Sequence, residues 1–190
     1  GIFGIGISDS RVYAAPLRRK FSYTNTYYHR PPRLDITDLH PKKEGTADFV
    51  ISSEVFEHVP PPVSKSFSNL YKLLKPGGFC VLTVPYVTGG STIEHFPELY
   101  RYKLKKKAGR KILVNRTREG IEQVFEGLSF HGGKGSTLEM RVFSRDSLLR
   151  EIDEAGFGEV KVHRESFAEF GIILDQLDSS FAVSMRKPAG

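Results

Sequence analysis

The sequence predicts an α/β fold, a mostly parallel seven-stranded sheet with helices on both faces and an antiparallel hairpin that closes it. Three observations predict it. Apolar strand-like runs alternate with helix-like runs along the first half of the chain, the order that builds parallel sheets. The run Ala47-Asp-Phe-Val-Ile-Ser52 is apolar at its centre, as a strand covered on both faces must be. Two strand-like runs follow the last helix, which places a hairpin at the sheet's edge.

Phe3-Gly-Ile-Gly-Ile7 reads as a short, Gly-spaced first strand, and Asp9 to Lys20 as a helix despite Pro16. Phe21 to Tyr28 alternates aromatic and Thr residues, the pattern of a second strand. Pro31 and Pro32 break it, and Arg33-Leu-Asp-Ile36 offers a brief third. Ala47 to Ser52 is the fourth. Phe67, Leu70, Tyr71 and Leu74 then fall at i, i+3, i+4 and i+7 within Ser64 to Leu74, an amphipathic helix. Lys75-Pro-Gly-Gly78 is expected to end that helix, after which Phe79 to Val84 is the fifth strand. Ser144 can cap a helix that runs through Ala155 and stops at Gly156. Strands near Val160 to Val162 and Phe181 to Met185 complete the seven. Between Pro85 and Arg141 the pattern loosens into aromatic, basic and Gly-rich segments. That stretch is expected to be a cap inserted after strand five, over the carboxyl ends of the strands, where open α/β sheets bind ligands.

A chain of 190 residues fits one domain with a sizeable core. Hydrophobic content of 39% and charged content of 26% are ordinary for a globular protein. No apolar run approaches the roughly 20 residues that cross a bilayer. The single cysteine, Cys80, lies in an apolar run, which excludes a disulfide framework or a cysteine-rich metal site and fits a reducing, cytoplasmic setting. Nothing at the start resembles a signal peptide, and residue 1 is Gly, so the native start is expected to be trimmed or missing. The formal charge of +6 is concentrated in part between Arg101 and Lys111. Such a run suits either a solvated hairpin or an anionic partner.

The stretch from Asp35 to Pro85 carries a resemblance. Its pieces are Leu34-Asp-Ile-Thr-Asp-Leu39, Ala47-Asp-Phe-Val-Ile-Ser-Ser-Glu-Val-Phe-Glu-His-Val59 and Leu73-Leu-Lys-Pro-Gly-Gly-Phe-Cys-Val-Leu-Thr-Val-Pro85. In this order and spacing they resemble class I S-adenosylmethionine-dependent methyltransferases of the small-molecule type, with a Rossmann-like sheet. The resemblance implies S-adenosylmethionine as cofactor. It implies cofactor contacts from Gly4 and Gly6 in the first loop, from Asn25 or Thr26 on the ribose, from Asp35 on the adenine amino group with Ile36 against the ring, and from Ser53 at the end of strand four. The first loop, Gly4-Ile-Gly-Ile-Ser-Asp-Ser10, departs from the family's fuller glycine pattern. Strand two lacks the usual ribose-binding acid.

Glu54, Glu57 and His58 follow the apolar fourth strand, where the resemblance puts the sulfonium and the incoming nucleophile. Two chemistries suit them. His58 can act as general base, since its ordinary pKa lies near neutrality. Alternatively, the Glu-x-x-Glu-His spacing, similar to the metal motif of small-RNA 2′-O-methyltransferases, can collect a divalent cation with a further ligand from His95 or His131. The same carboxylates also suit a helix N-terminus with no metal. His95, His131 and Tyr86 in the cap are candidate substrate contacts, Tyr100 and Tyr102 offer further rings, and the turn at Gly132-Gly133 can cradle an anion or simply reverse the chain.

The expected activity is methyl transfer to oxygen, with nitrogen second, of a small molecule or sugar-containing metabolite, without nucleic acid and with metal possible but not required. An RNA 2′-O-methyltransferase-like enzyme with a divalent metal and a non-catalytic, methyltransferase-like scaffold are the alternatives.

Overall fold

A computed structural model describes residues 1–131, 137–170, 173–174 and 180–190. In chain order the elements are β1 (Phe3–Ile7), α1 (Arg11–Lys20), β2 (Ser22–Thr26), β3 (Ala47–Ser53), α2 (Val63–Leu73), β4 (Leu74–Thr83), β5 (Tyr86–Val87) and β6 (Ile93–Glu94). They continue with β7 (Arg101–Lys107), β8 (Arg110–Arg116), β9 (Glu122–Phe125), β10 (Phe130–His131), β11 (Thr137–Leu138), β12 (Arg141–Ser144), α3 (Arg145–Glu154), β13 (Gly158–Val162) and β14 (Val183–Arg186).

The main sheet runs β13-β14-β4-β3-β1-β2. Three of its pairings are parallel, β2 on β1, β1 on β3 and β3 on β4, and β14 then joins β4 antiparallel. The expected closing hairpin is β13-β14. Six strands, not seven, form this sheet among the described residues. The third strand expected at Arg33 to Ile36 shrinks to one bridge, Tyr27 to Arg33, because the chain turns at Asp35, whose carbonyl accepts from Asp38 N and whose Oδ1 accepts from Thr37 N. Lys75 to Gly78, expected to be a loop ending the helix, lies within β4 as an irregularity: Ala47 pairs with Leu74, but Phe49 pairs with Phe79. Gly77 takes a left-handed φ of 77°, and Lys75 Nζ holds both Asp48 oxygens at 2.9 Å.

Strand alternation decides which residues meet which helix. Ile5, Ile7, Val50, Cys80 and Leu82 point to one face, where Phe67, Leu70 and Leu73 of α2 and Leu148 and Ile152 of α3 complete the main core. Each such fully buried side chain contributes roughly 1.5–3 kcal/mol of transfer free energy. The opposite face carries Tyr23 and Phe49 against Ala14 and Leu17 of α1. Gly4 has no side chain because the Phe49 ring occupies that space. Ser10 caps α1, its side chain accepting from Val12 N, and Ser144 caps α3, accepting from Ser147 N.

The segment after β4 forms its own layer. β7, β8 and β9 make an antiparallel sheet, and Phe96, Leu113, Leu138 and Met140 form a second, smaller core with Phe125 and Phe130. β12 returns the chain between β5 and β6. The basic cluster lies here, with all of β7 exposed. No helix among the described residues is long and apolar enough to cross a membrane.

Candidate active site

A cleft of about 720 Å³ opens at the carboxyl ends of β1 and β3, the pair between which the strand order reverses. Its walls are Ile7, Ser8 and Tyr13 on one side, Tyr27 to Arg30 and Leu34 to Thr37 on a second, and Ser53 to Val55 with His58 to Pro60 on a third. The volume is that of a small-molecule site. Two lining residues, Ser8 at φ 61° and Glu54 at φ 54°, hold left-handed backbone without being glycine. Each costs of order 1 kcal/mol, and each ends a strand at the cleft's floor.

Asp35 stands in this wall with Oδ1 committed locally, accepting from Thr37 N at 2.9 Å and Thr37 Oγ1 at 2.7 Å. That turn fixes the carboxylate and leaves Oδ2 for a ligand. Ile36 is buried beside it and shares the wall. Ser53 also lines the cleft, its hydroxyl 2.8 Å from Thr83 Oγ1. An apolar slot with one fixed carboxylate suits an adenine ring and its amino group.

Asn25 and Thr26 require a correction. Both are buried, and neither faces the cleft. Asn25 spends its amide on the loop backbone, donating to Asp9 O at 2.8 Å while its Oδ1 accepts from Asp9 N at 3.0 Å. Thr26 Oγ1 donates to Gly6 O at 2.7 Å. Both therefore position the first loop, and the cleft residues at this edge are Tyr27 to Arg30. Gly4 and Gly6 likewise serve packing rather than lining the cleft. A side chain at Gly6 would overlap the Asp9 carboxylate and the Tyr23 hydroxyl.

Asp9 is the hub beneath that loop, accepting hydrogen bonds from Tyr23 and from Tyr13 Oη, the latter at 3.1 Å. Burial raises its carboxyl to about 6 from 3.8, over the opposing pull of the two tyrosines. A folded-state pKa above the unfolded one contributes stability that is full below about pH 4 and lost as pH rises through about 6. Relative to Asp9→Asn, the wild type is therefore expected to lose about 2–3 kcal/mol between pH 4 and pH 7. Denaturant melts of both proteins across that range measure it, and parallel curves would contradict it.

Glu54, Glu57 and His58 separate in space. Glu54 and His58 line the cleft, whereas Glu57 is 1% exposed and lies behind it. Among the described residues neither Glu57 carboxylate oxygen has a hydrogen-bond partner, and the nearest imidazole contact is His58 Nε2 at 3.6 Å. Burial pushes this carboxyl up to about 8, with Glu54 and Glu139 adding repulsion. Burial, and then His131, hold the His58 ring below its ordinary pKa, so it is neutral at pH 7.

The three residues sit in a 3₁₀ turn, Phe56–His58, clamped by the returning cap strand. His58 Nδ1 lies 2.9 Å from Leu138 O, Met140 N donates to Glu57 O at 2.8 Å, and Arg141 Nη1 donates to Phe56 O at 2.6 Å. Arg141 is fully buried and also grips both Glu94 oxygens, at 2.5 and 3.1 Å. His131 stacks near His58, with ring centres 4.5 Å apart. Glu139 joins His131 Nε2 at 2.7 Å to His95 Nε2 at 2.9 Å. Burial alone would raise the Glu139 carboxyl, but the two histidines hold it below its ordinary value.

Tyr86, a candidate substrate contact, is instead 2% exposed within the main core, because its strand pairs with β12 beneath the cap. His95 and His131 reach the cleft's edge only through Glu139 and His58. Gly132-Gly133, the candidate anion cradle, lies outside the described residues. Sequence reasoning missed Glu139 and Arg141 as site residues. The one available signal was an arginine set among Leu138, Met140, Val142 and Phe143, where a charge must have a buried partner.

A cleft at the order reversal of a largely parallel sheet defines a Rossmann-like α/β domain. A family profile described as a methyltransferase domain matches residues 3–162, and the chain belongs to that family. No curated protein matches the sequence significantly. Among solved structures, the chain is similar to 1,6-didemethyltoxoflavin-N1-methyltransferase of Burkholderia thailandensis with bound 1,6-didemethyltoxoflavin and S-adenosylhomocysteine. That match has 15% identity and a TM-score of 0.57, and covers 98% of this chain and 71% of that one. An S-adenosylmethionine-dependent methyltransferase from Clostridium acetobutylicum shares 10% identity at TM-score 0.56, over 98% and 84% of the two chains. The CurJ carbon methyltransferase shares 16% at TM-score 0.58, over 99% of this chain and 49% of that one, so this chain spans about half the length of that chain. The fold is that of class I S-adenosylmethionine-dependent methyltransferases.

Proposed function

We propose that this domain transfers the methyl group of S-adenosylmethionine to an oxygen of a small molecule. The observation that carries the reading is the presence, in the wall of one cleft, of an anchored Asp35 carboxylate beside an apolar slot and of a neutral His58. The adenine end suits Asp35 and Ile36. The sulfonium end suits the loop at Ser8 and the turn at Ser53 and Glu54.

Transfer forms an oxygen–carbon bond as the sulfur–carbon bond breaks, the electron pair staying on sulfur to give S-adenosylhomocysteine and the hydroxyl proton leaving the acceptor. Because the sulfonium is already activated, alignment supplies most of the rate. An oxygen acceptor must still lose its proton, and of the two imidazoles in the cleft wall, His29 and His58, His58 is the one beside the strand-end turn at Ser53 and Glu54. An amine acceptor needs less help, which favours oxygen. The cap from Pro85 to Arg141 selects the acceptor, since it supplies the layer that clamps the His58 turn.

Calorimetric titration of S-adenosylmethionine and S-adenosylhomocysteine into the whole chain tests the reading, and micromolar binding of both is expected. Absence of binding would put the non-catalytic scaffold in its place. With an acceptor in hand, His58→Ala is expected to lower turnover about tenfold while cofactor affinity moves less than twofold. Equal losses in both would remove His58 from the acceptor side.

A further inference from the structure

We propose that Glu57, His58 and His131 form a binding site for one divalent transition-metal cation of the zinc or manganese kind. One ligand atom from each lies within 4.8 Å of the others. The proposal rests on the methyltransferase reading for what the cation does, and on these three side chains alone for where it binds.

Three features mark a ligand set rather than a packed polar cluster. The first is Glu57, a carboxylate sealed from solvent with neither oxygen hydrogen-bonded among the described residues. Buried polar groups are nearly always satisfied, and an unpaired buried carboxylate costs several kcal/mol, so the position calls for a partner. The second is His58. A carbonyl oxygen only accepts, so the 2.9 Å contact with Leu138 O puts the hydrogen on Nδ1. The lone pair is then on Nε2, which stands 3.6 Å from Glu57 Oε1. The third is His131, whose Nε2 meets the Glu139 carboxylate at 2.7 Å, leaving Nδ1 as its free donor atom. Metal-binding histidines are commonly fixed in this way by a carbonyl or carboxylate on the other nitrogen. Glu139, itself held by His95 at 2.9 Å, is thus a positioning residue for the set.

Two imidazoles and one carboxylate suit zinc or manganese better than magnesium, which prefers oxygen ligands. Zinc ligands at about 2.0–2.2 Å place tetrahedral partners roughly 3.5 Å apart. The Glu57–His58 pair already has that spacing, and with all three ligand atoms within 4.8 Å of one another binding would need His131, half-exposed on the two-residue β10, to shift by about an ångström. Glu54, whose nearest partner is Ser180 Oγ at 3.4 Å, stays outside the set. Three protein ligands would leave a coordination position, and of the three only His58 lines the cleft. A cation held there would lower the pKa of an acceptor hydroxyl and so supply the deprotonation that methyl transfer to oxygen requires. With the cation bound, His58 would act on the same proton as a ligand of the cation, and its role as direct base would belong to the metal-free chain.

The test is calorimetric titration of Zn²⁺ and of Mn²⁺ into tag-free, chelator-treated protein, with S-adenosylmethionine titrated in parallel. One saturable equivalent of cation is expected in the wild type and in His40→Asn, a control at an exposed histidine. Affinity at least tenfold weaker is expected in His131→Asn, a half-exposed position where folding is not at stake, and in Glu57→Gln. Absence of saturable binding by the wild type, or equal binding by wild type and His131→Asn, would overturn the site. A higher melting temperature of Glu57→Gln than of metal-free wild type, with no metal bound by either, would show that a proton is the partner. Cofactor binding without metal binding defeats the cation alone, and metal binding without cofactor binding defeats the cofactor reading alone.

Discussion

Replacing Asp35 with Ala is expected to weaken S-adenosylmethionine binding by about 10- to 100-fold. A hydrogen bond to a charged group is worth about 1.5–3 kcal/mol, and each 1.4 kcal/mol is tenfold in affinity. The carboxylate is fixed before ligand arrives, because Oδ1 already accepts two bonds from Thr37, so little ordering cost offsets the contact. The substitution also removes that turn. Asp35→Asn separates the two effects, since its carbonyl oxygen can still accept from Thr37 while the charge is gone. The expected order of affinity for both S-adenosylmethionine and S-adenosylhomocysteine is wild type, then Asn, then Ala, read by calorimetry on protein whose melting temperature is checked in parallel. Equal affinities across the three would remove Asp35 from the cofactor site and leave it a turn residue.

The legibility of that residue follows from its locality. Asp35, Ile36, Ser53, Glu54 and His58 fall in the cleft wall because strand ends and short turns are written in a few consecutive residues. The parallel sheet was legible for the same reason: the apolar centre of β3 and the i, i+3, i+4, i+7 stripe of α2 each need only one segment. Asn25 and Thr26 show where this stops. The sequence places them at the end of a strand, but the face they present depends on Asp9, sixteen residues earlier, whose backbone captures the Asn25 amide. Tyr86 misled for a related reason, since burial beneath β12 depends on a strand more than fifty residues downstream. Glu139 was hidden in a Gly-rich stretch, and its two histidines come from separate parts of the cap. The third strand failed locally, at Asp35, where an aspartate-centred turn with Thr37 and Asp38 takes the chain away from its neighbour.

Arg141→Ala is expected to be the most destabilising substitution in the cap. Its guanidinium is fully buried and holds Phe56 O at 2.6 Å together with both oxygens of Glu94. Removing one member of a buried, hydrogen-bonded ion pair costs about 3–5 kcal/mol, mainly because the groups left behind stay buried without a partner. For a chain of this length that lowers the melting temperature by on the order of 10 °C. Glu94→Gln should cost less, because Glu94 is 28% exposed and water can reach it, and the double substitution should cost less than the sum of the two. The effect reaches the site through the backbone. Phe56 begins the 3₁₀ turn that carries Glu57 and His58, and Arg141 is one of three clamps on it, with Leu138 O and Met140 N. Arg141→Met fills the same space without charge and leaves the turn one clamp short. It is therefore expected to recover part of the lost stability while cofactor affinity stays near wild type and turnover remains low. Full recovery of turnover in Arg141→Met would show that the arginine holds the cap to the sheet without setting the geometry of the turn.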